Sequence, residues 1–273
     1  MFSFLSKQPI LDADAAAWIL QTYAWALRNY DARVFFTESV LVTPTNQHFP
    51  GRENSVEGMA SLIFEQVRGF AGVKHWPCQL VNAVEFAEKG EEINPRPQIS
   101  FAGPVRGNAA LDRPPAVKSE RFVIPFNPHQ VIKPEALIAD YAHIIAHYLG
   151  ALGTELPPGG EENWPYATEL LAIYMGFGIM FANSAYNYRG GCGSCYNPLA
   201  ERKAYLSQDE ATYALAIFCV LKNIPGKSVL PHLKSYLRPC FKRSMKELLA
   251  NTTLLAQCRP ELYYGEKAKQ VLA

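Results

Sequence analysis

Two apolar helical segments, residues 134–149 and 166–183, constrain the fold of this chain more than any other part of its sequence. The second contains an apolar run from Leu170 to Ala182, whose 13 residues are too few to span a bilayer. Such a run predicts a helix buried in the protein interior. In the first segment, the large apolar residues share one side of a helix. They are Leu137, Ile138, Tyr141, Ile144, Ile145 and Tyr148.

The remaining periodicity predicts an α+β fold, in which a small mixed sheet packs against a mainly helical C-terminal half. Further helices are predicted over residues 13–30 and 56–70, and strands over 39–43, 78–88, 98–103 and 121–126. Ser207 begins a capping box with Glu210, which predicts a helix to about Asn223. Residues 228–256 are predicted to form a helix that bends near Pro239.

Length and composition favour a single domain over residues 1–273, with a helix and strand part over about 1–130 and a helical part over about 131–273. The hydrophobic fraction of 49% is ample for a sizeable core. The net charge of +1 lacks the basic footprint of a nucleic-acid-binding protein. The N-terminus has no secretory signal pattern, so we expect a soluble cytoplasmic protein that does not enter membranes. Neither a glycine-rich phosphate loop nor a Gly-x-Ser-x-Gly elbow is present.

The most specific chemical pattern is a pair of histidines, His143 and His147, four residues apart in the first helical segment. Residues at this spacing project in the same direction, so two imidazoles can bind one metal ion. Glu169 opens the next apolar helix and is a candidate third ligand for a zinc ion. Asp140 lies beside the histidines on the helical wheel and is a candidate for orienting one of the rings.

An alternative without metal remains open at this stage. Paired histidines also occur in helices that bind no metal ion. A glutamate near the start of a helix is a favourable partner of the helix dipole, whatever else it does. On this interpretation the chain is a helical protein whose histidines are ordinary.

The histidine helix resembles the metal-binding helix of gluzincin metallopeptidases. The likeness rests on His143-Ile-Ile-Ala-His147, which is similar to their His-Glu-Leu-Ala-His sequence with the Glu replaced. The segment beginning Thr168-Glu169-Leu-Leu-Ala resembles their third-ligand helix. More closely, the chain resembles a family of uncharacterised bacterial proteins, in which such a site accompanies a Gly-Phe-Gly helix and a segment like that from Tyr205 to Ala216. The likeness covers roughly residues 120–250.

This resemblance implies a zinc site made by His143, His147 and Glu169, with Ile144 at the position of the general base. Isoleucine cannot accept a proton, so water activation by a base at this position should be lost. We therefore expect a catalytically degenerate, gluzincin-like protein with a site able to hold one zinc ion. Its expected role is to bind a protein or peptide.

The rival hypothesis is an active zinc-dependent hydrolase, such as a peptidase, that uses a substitute base. Asp140, Glu161 and Glu162 are the acidic residues considered for that role, although no spacing argument favours any of them.

A second candidate site is the pair Cys192 and Cys195 in a glycine-rich loop. Such a pair forms a redox disulfide, half of a four-cysteine zinc site, or two free thiols. A disulfide scaffold for all six cysteines is not expected in a chain of this length without a secretory signal. Cys219 lies in an apolar helical pattern and is predicted to belong to the core.

Overall fold

The computed structural model describes residues 9–90, 94–97, 99–101, 103–111, 120–185 and 202–264. Its strands are β1 (Cys78–Asn82) and β2 (Phe122–Phe126). Its α-helices are α1 (Ala13–Asn29), α2 (Val56–Ala71), α3 (Ala83–Glu88), α4 (Asn108–Leu111), α5 (Pro134–Ala151), α6 (Trp164–Ala172), α7 (Gly178–Ser184), α8 (Gln208–Leu221), α9 (Gly226–Val229), α10 (Arg238–Ala250) and α11 (Glu261–Tyr264). The predicted α+β class is confirmed, with helix as the dominant element.

The two predicted N-terminal helices form because residues at their ends satisfy free backbone groups. The Asp12 carboxylate accepts a hydrogen bond from Ala15 N at 2.8 Å before α1. The Ser55 hydroxyl accepts one from Gly58 N at 2.9 Å before α2. Helix α2 is followed by Gly72, whose φ of +76° suits glycine better than any other residue.

The sheet is smaller than predicted, since β1 and β2 pair in parallel as its two strands within the described residues. Cys78 lies opposite Phe122 and Asn82 lies opposite Phe126. The strand predicted over 39–43 is wrong. That segment follows a π-helical turn, Val34–Glu38, and Val42 N donates to Gly176 O at 3.0 Å instead of joining a sheet.

The strand predicted over 98–103 is also wrong for residues 99–101 and 103, which have no strand structure. Ile99 N donates to Pro97 O at 2.9 Å, a local contact that turns the chain. The Ile99 amide is bonded within this local turn and is not available to a neighbouring strand, which gives a physical reason for the difference.

Helix α5 lies at the centre of the core and packs against α2, α6, α7 and β2. Its Leu137, Tyr141, Ile145 and Leu149 are fully buried. Tyr141 Oη donates to Ala60 O of α2 at 3.2 Å. Tyr148 Oη donates to Val123 O of β2 at 2.9 Å, which ties the helix to the sheet. The apolar side predicted for this helix is therefore its core side, with Ile144 at the half-buried edge.

The predicted helix over 166–183 is buried, but it is not continuous. Helix α6 passes through a π-helical turn, Ile173–Phe177, into α7, and Gly176 has a φ of +109° inside that turn. A Cβ at this glycine would lie 2.1 Å from Val40 O, so the close approach of the 39–43 segment requires glycine. The stretch Gly160–Ser184 is long and apolar enough to cross a membrane, yet 89% of its most apolar window is buried inside the protein.

Of the two predictions for the C-terminal helices, one is confirmed and the other is wrong. The capping box at α8 is present, since Glu210 N donates to Ser207 Oγ at 3.2 Å and Ser207 N donates to Glu210 Oε2 at 2.7 Å. The bent helix predicted over 228–256 is instead a series of short turns followed by α10. Pro239 lies in the first turn of α10, where a missing N–H costs nothing, so the proline begins a helix rather than bending one.

Candidate binding site at the histidine helix

Three polar residues of α5, Asp140, His143 and His147, lie on the half-buried side of the helix, as the helical wheel predicts. They lie near α6 and the segment that precedes α8. Each of the three makes different contacts, and these contacts decide what the site can bind.

The imidazole of His147 is hydrogen-bonded through both nitrogens. Trp164 Nε1 donates to His147 Nδ1 at 3.1 Å. An indole N–H only donates, so Nδ1 must accept, and the neutral ring then carries its proton on Nε2. His147 Nε2 lies 3.1 Å from Pro95 O and is placed to donate to it. Burial lowers the pKa of His147, and Arg96 acts in the same direction while the bond to Pro95 opposes it.

His143 contacts a different part of the site. Its ring stacks on that of Tyr205, with centroids 5.9 Å apart and planes 11° apart. Its Nδ1 is buried and has no hydrogen-bond partner within the described part of the chain. Burial lowers the pKa of His143 to about 3, and the positive charge of Arg202 and the neighbouring His147 add to this effect. The ring is therefore neutral at physiological pH.

Glu169 is fully buried and forms an ion pair with the equally buried Arg202. Tyr205 N donates to Glu169 Oε1 at 3.2 Å, and Leu206 N donates to Glu169 Oε2 at 2.9 Å. Arg202 also donates from Nε to Ser184 Oγ at 3.0 Å, and its guanidinium lies 4.6 Å from the centre of the Phe181 ring. Both carboxylate oxygens of Glu169 thus accept hydrogen bonds from the segment that leads into α8.

Two of the three predicted ligands, His147 and Glu169, have other partners in the structure, and the zinc site stays a prediction. Among the described residues, no group of three or more His, Cys, Asp or Glu side chains is arranged to hold a metal ion. The Glu169 carboxylate already has a cation and two amides as partners, and the acceptor nitrogen of His147 is bound to Trp164. With these contacts in place, His147 Nδ1 is not free to bind a metal ion, and the charge of the Glu169 carboxylate is already paired.

Asp140 does not orient either histidine ring in the described contacts. It accepts a hydrogen bond from Gln130 Nε2 at 2.5 Å. Burial raises the pKa of Asp140 to about 6, and the charge of Glu169 acts in the same direction, while Gln130 and Arg202 oppose it. Glu161 and Glu162, the other acids considered as substitute bases, are exposed, and Glu161 Oε1 lies 3.7 Å from Arg96 Nη2.

Aromatic rings surround the histidines, and sequence reasoning did not single them out. Trp18 contacts Tyr166 with ring centroids 6.4 Å apart, and Tyr166 contacts Tyr205 at 6.0 Å. Tyr205 continues to His143, so these four rings form a continuous row. We call this row the aromatic surface, and its most exposed member is Tyr166, at 42%.

Two cationic side chains border this region. Lys203 Nζ lies 5.1 Å from the centre of the Tyr205 ring, and Arg96 Cζ lies 5.9 Å from that of Trp164. Such contacts between cations and ring faces are attractive. The aromatic pair in Trp164-Pro-Tyr166, at the start of a predicted core helix, was the sequence signal available for this surface.

The predicted second site, Cys192 and Cys195, lies outside the described residues. The described cysteines Cys78, Cys219, Cys240 and Cys258 are free thiols. Cys219 is fully buried, which confirms its predicted place in the core.

Comparison of the chain with protein-family models, with curated proteins and with solved structures finds no match.

Proposed function

We propose that this chain is a non-catalytic binding protein of the cytoplasm, with a gluzincin-like pair of helices that holds a metal-independent polar centre beside a peptide-binding surface. The observation that supports this most is the state of Glu169, which is fully buried and bound by Arg202 and two backbone amides. A zinc ion at this carboxylate would compete with the buried guanidinium for the same negative charge, which disfavours metal binding there.

The lack of a proton-accepting group next to the first histidine supports the same conclusion. Zinc-dependent hydrolysis needs a base that takes a proton from water and returns it to the leaving group. Ile144 cannot do this. Asp140 accepts its described hydrogen bond from Gln130, and Glu161 lies at the exposed edge beside Arg96.

The aromatic surface supports a binding role. Tyrosine and tryptophan rings provide large contact areas with little conformational freedom to lose, and they are enriched where proteins bind peptides and other proteins. In the aromatic surface, Tyr166 is exposed to solvent while Trp18 and Tyr205 hold it from both sides. The expected ligand is therefore a peptide segment with an aromatic or large apolar side chain that contacts Tyr166.

The metal-independent centre is tested by comparing Glu169→Ala with Glu161→Ala in unfolding experiments with added zinc or with a chelator. Glu169→Ala removes the carboxylate that pairs with the buried Arg202 and should cost about 3–5 kcal/mol of unfolding free energy. Glu161→Ala removes only an exposed pair with Arg96 and should cost about 0–1 kcal/mol. Neither zinc nor chelator should change the unfolding free energy of the unmodified chain. Stoichiometric zinc, lost in His147→Gln with a matching loss of stability, would overturn the proposal.

The binding role is tested by selecting peptides from a random display library on the immobilised chain. Tyr166→Ser should lower the affinity for the selected peptides about tenfold or more, as expected for an aromatic residue central to an interface. Tyr236→Ser is the matched control, because Tyr236 is similarly exposed, at 51%, and is absent from the aromatic surface. Peptides that bind both variants equally would place the interface elsewhere. Peptide cleavage that a chelator and His147→Gln both abolish would favour the active hydrolase.

A further inference from the structure

A cavity separate from the histidine helix lies between the first half of α1, the end of α10 and the 3-10 helical segment Thr252–Cys258. Its volume is about 630 Å³. Sites for small organic molecules typically have about 300–1,000 Å³. The cavity opens to solvent, since lining residues such as Ala17 and Ala256 are exposed, and its volume lies within this range.

Most of the cavity wall is apolar. Helix α1 contributes small side chains on this side, so the wall stands back and leaves room. The apolar residues include Leu11, Ala16, Ala17, Leu20, Leu254 and Ala256. A hydrocarbon group that enters the cavity buries its apolar surface against apolar side chains, which is the main source of affinity in such sites.

Among the described residues that line the cavity, one is charged, Glu247. Tyr213 Oη donates a hydrogen bond to Glu247 Oε1 at 3.3 Å. Tyr213 is fully buried in α8, and both burial and Glu247 raise its pKa, so the phenol stays protonated and donates. The phenol thus holds the carboxylate by one oxygen, and no described cation forms an ion pair with Glu247.

We propose that this cavity binds a small organic ammonium ion with a hydrocarbon body, whose positive group pairs with Glu247. A carboxylate beside an apolar cavity is costly to desolvate unless a cation accompanies it. An ammonium ion supplies both the charge and the hydrogen-bond donors that the carboxylate can accept. An organic anion of the same shape would be repelled, and a neutral alcohol would lack the charge. This site is independent of the aromatic surface.

The test measures binding of n-octylammonium, octanol and octanoate to the full chain by titration calorimetry at neutral pH. Octylammonium should bind, and the alcohol and the carboxylate should bind about tenfold or more weakly, since a charge-assisted hydrogen bond is about twice as strong as a neutral one. Glu247→Gln keeps the shape of the side chain and should lower the affinity for octylammonium by about the same factor. Ala17→Trp fills the cavity from α1 and should abolish binding.

Glu88→Gln is the matched control, since Glu88 is exposed at the end of α3 and is absent from the cavity lining. It should bind octylammonium as the unmodified chain does. Thermal unfolding of each variant confirms that it is folded before binding is compared. Equal affinity for octylammonium and octanoate would overturn the proposal, as would undiminished binding in Glu247→Gln or in Ala17→Trp. Absence of octylammonium binding to the folded, unmodified chain would also overturn it.

Discussion

His143 illustrates how burial sets the protonation state of a single residue in this protein. A charged imidazole there would lie in a poorly hydrated position and beside Arg202, so the neutral form is favoured. Asp140, one helical turn earlier, is subject to the same burial, which favours its protonated form. The two groups are close in the fold, yet they affect the pH dependence of stability in opposite directions.

The pH dependence of folding should therefore change in opposite directions in His143→Gln and Asp140→Asn. His143 has a pKa of about 3 in the folded chain and about 6.5 when unfolded. The unfolded state alone binds this proton between those values, so stability falls as pH falls from 6.5 toward 3. Asp140 has a pKa of about 6 in the folded chain against an ordinary value of 3.8, so its contribution to stability is lost as pH rises through that window.

Urea unfolding at pH 4.5 and pH 7 measures this difference. Between pH 7 and pH 4.5, the free energy of unfolding should fall by roughly 1–2 kcal/mol less in His143→Gln than in the unmodified chain. In Asp140→Asn, the free energy of unfolding should fall more on acidification than in the unmodified chain. Parallel pH profiles for all three proteins would contradict the buried, neutral state of His143.

At the scale of elements, the sequence predicts best those helices whose ends are specified locally. The Ser207 capping box and the cap at Ser55 act over three residues, so their patterns are visible in the chain. The strand over 39–43 was mispredicted because its backbone partner, Gly176, lies far away in sequence. Local propensity carries no signal for such a contact.

The candidate site was predictable in part for the same reason. The spacing of His143 and His147 places both on one side of α5, and the structure has them there. The partners of Glu169 could not be read from spacing, since Arg202 and the amides of Tyr205 and Leu206 come from a segment before another helix. A buried carboxylate needs a positive partner, and the sequence alone does not distinguish a basic side chain from a metal ion in that role.

The kink between α6 and α7 gives a prediction about a single element. Gly176→Ala should destabilise the chain strongly, by roughly 3 kcal/mol or more, because a Cβ would overlap Val40 O and φ is positive. Gly160→Ala is the matched control. Its φ is +73°, but no atom lies within 4 Å of an added Cβ, so it should cost only about 1 kcal/mol. Chemical unfolding measures both, and equal costs would show that the approach of Val40 does not require glycine.

At the scale of the whole molecule, α1 joins the beginning of the chain to its end. Tyr23 Oη donates to Ala214 O of α8 at 2.7 Å. Trp25 Nε1 donates to Glu155 O at 3.1 Å, after the end of α5. Cys258 Sγ lies 3.7 Å from Leu20 O. The N-terminal and C-terminal parts distinguished in the sequence therefore share one core, to which α1 contributes buried aromatic side chains.

The fragment 131–273 should consequently fail to fold by itself, although it contains most of the large helices. It lacks α1 and both strands, so it would expose apolar surface that those elements cover, and each large buried side chain contributes about 1.5–3 kcal/mol. We expect the full chain to unfold in a single cooperative transition and the fragment to show none by circular dichroism. The control is to mix the fragment with a second fragment, residues 1–130. If the mixture regains a cooperative transition, the isolated fragment failed to fold because it lacked contacts with residues 1–130. A cooperative transition in the isolated fragment would contradict a core shared between the two parts and would make the helical half a domain of its own.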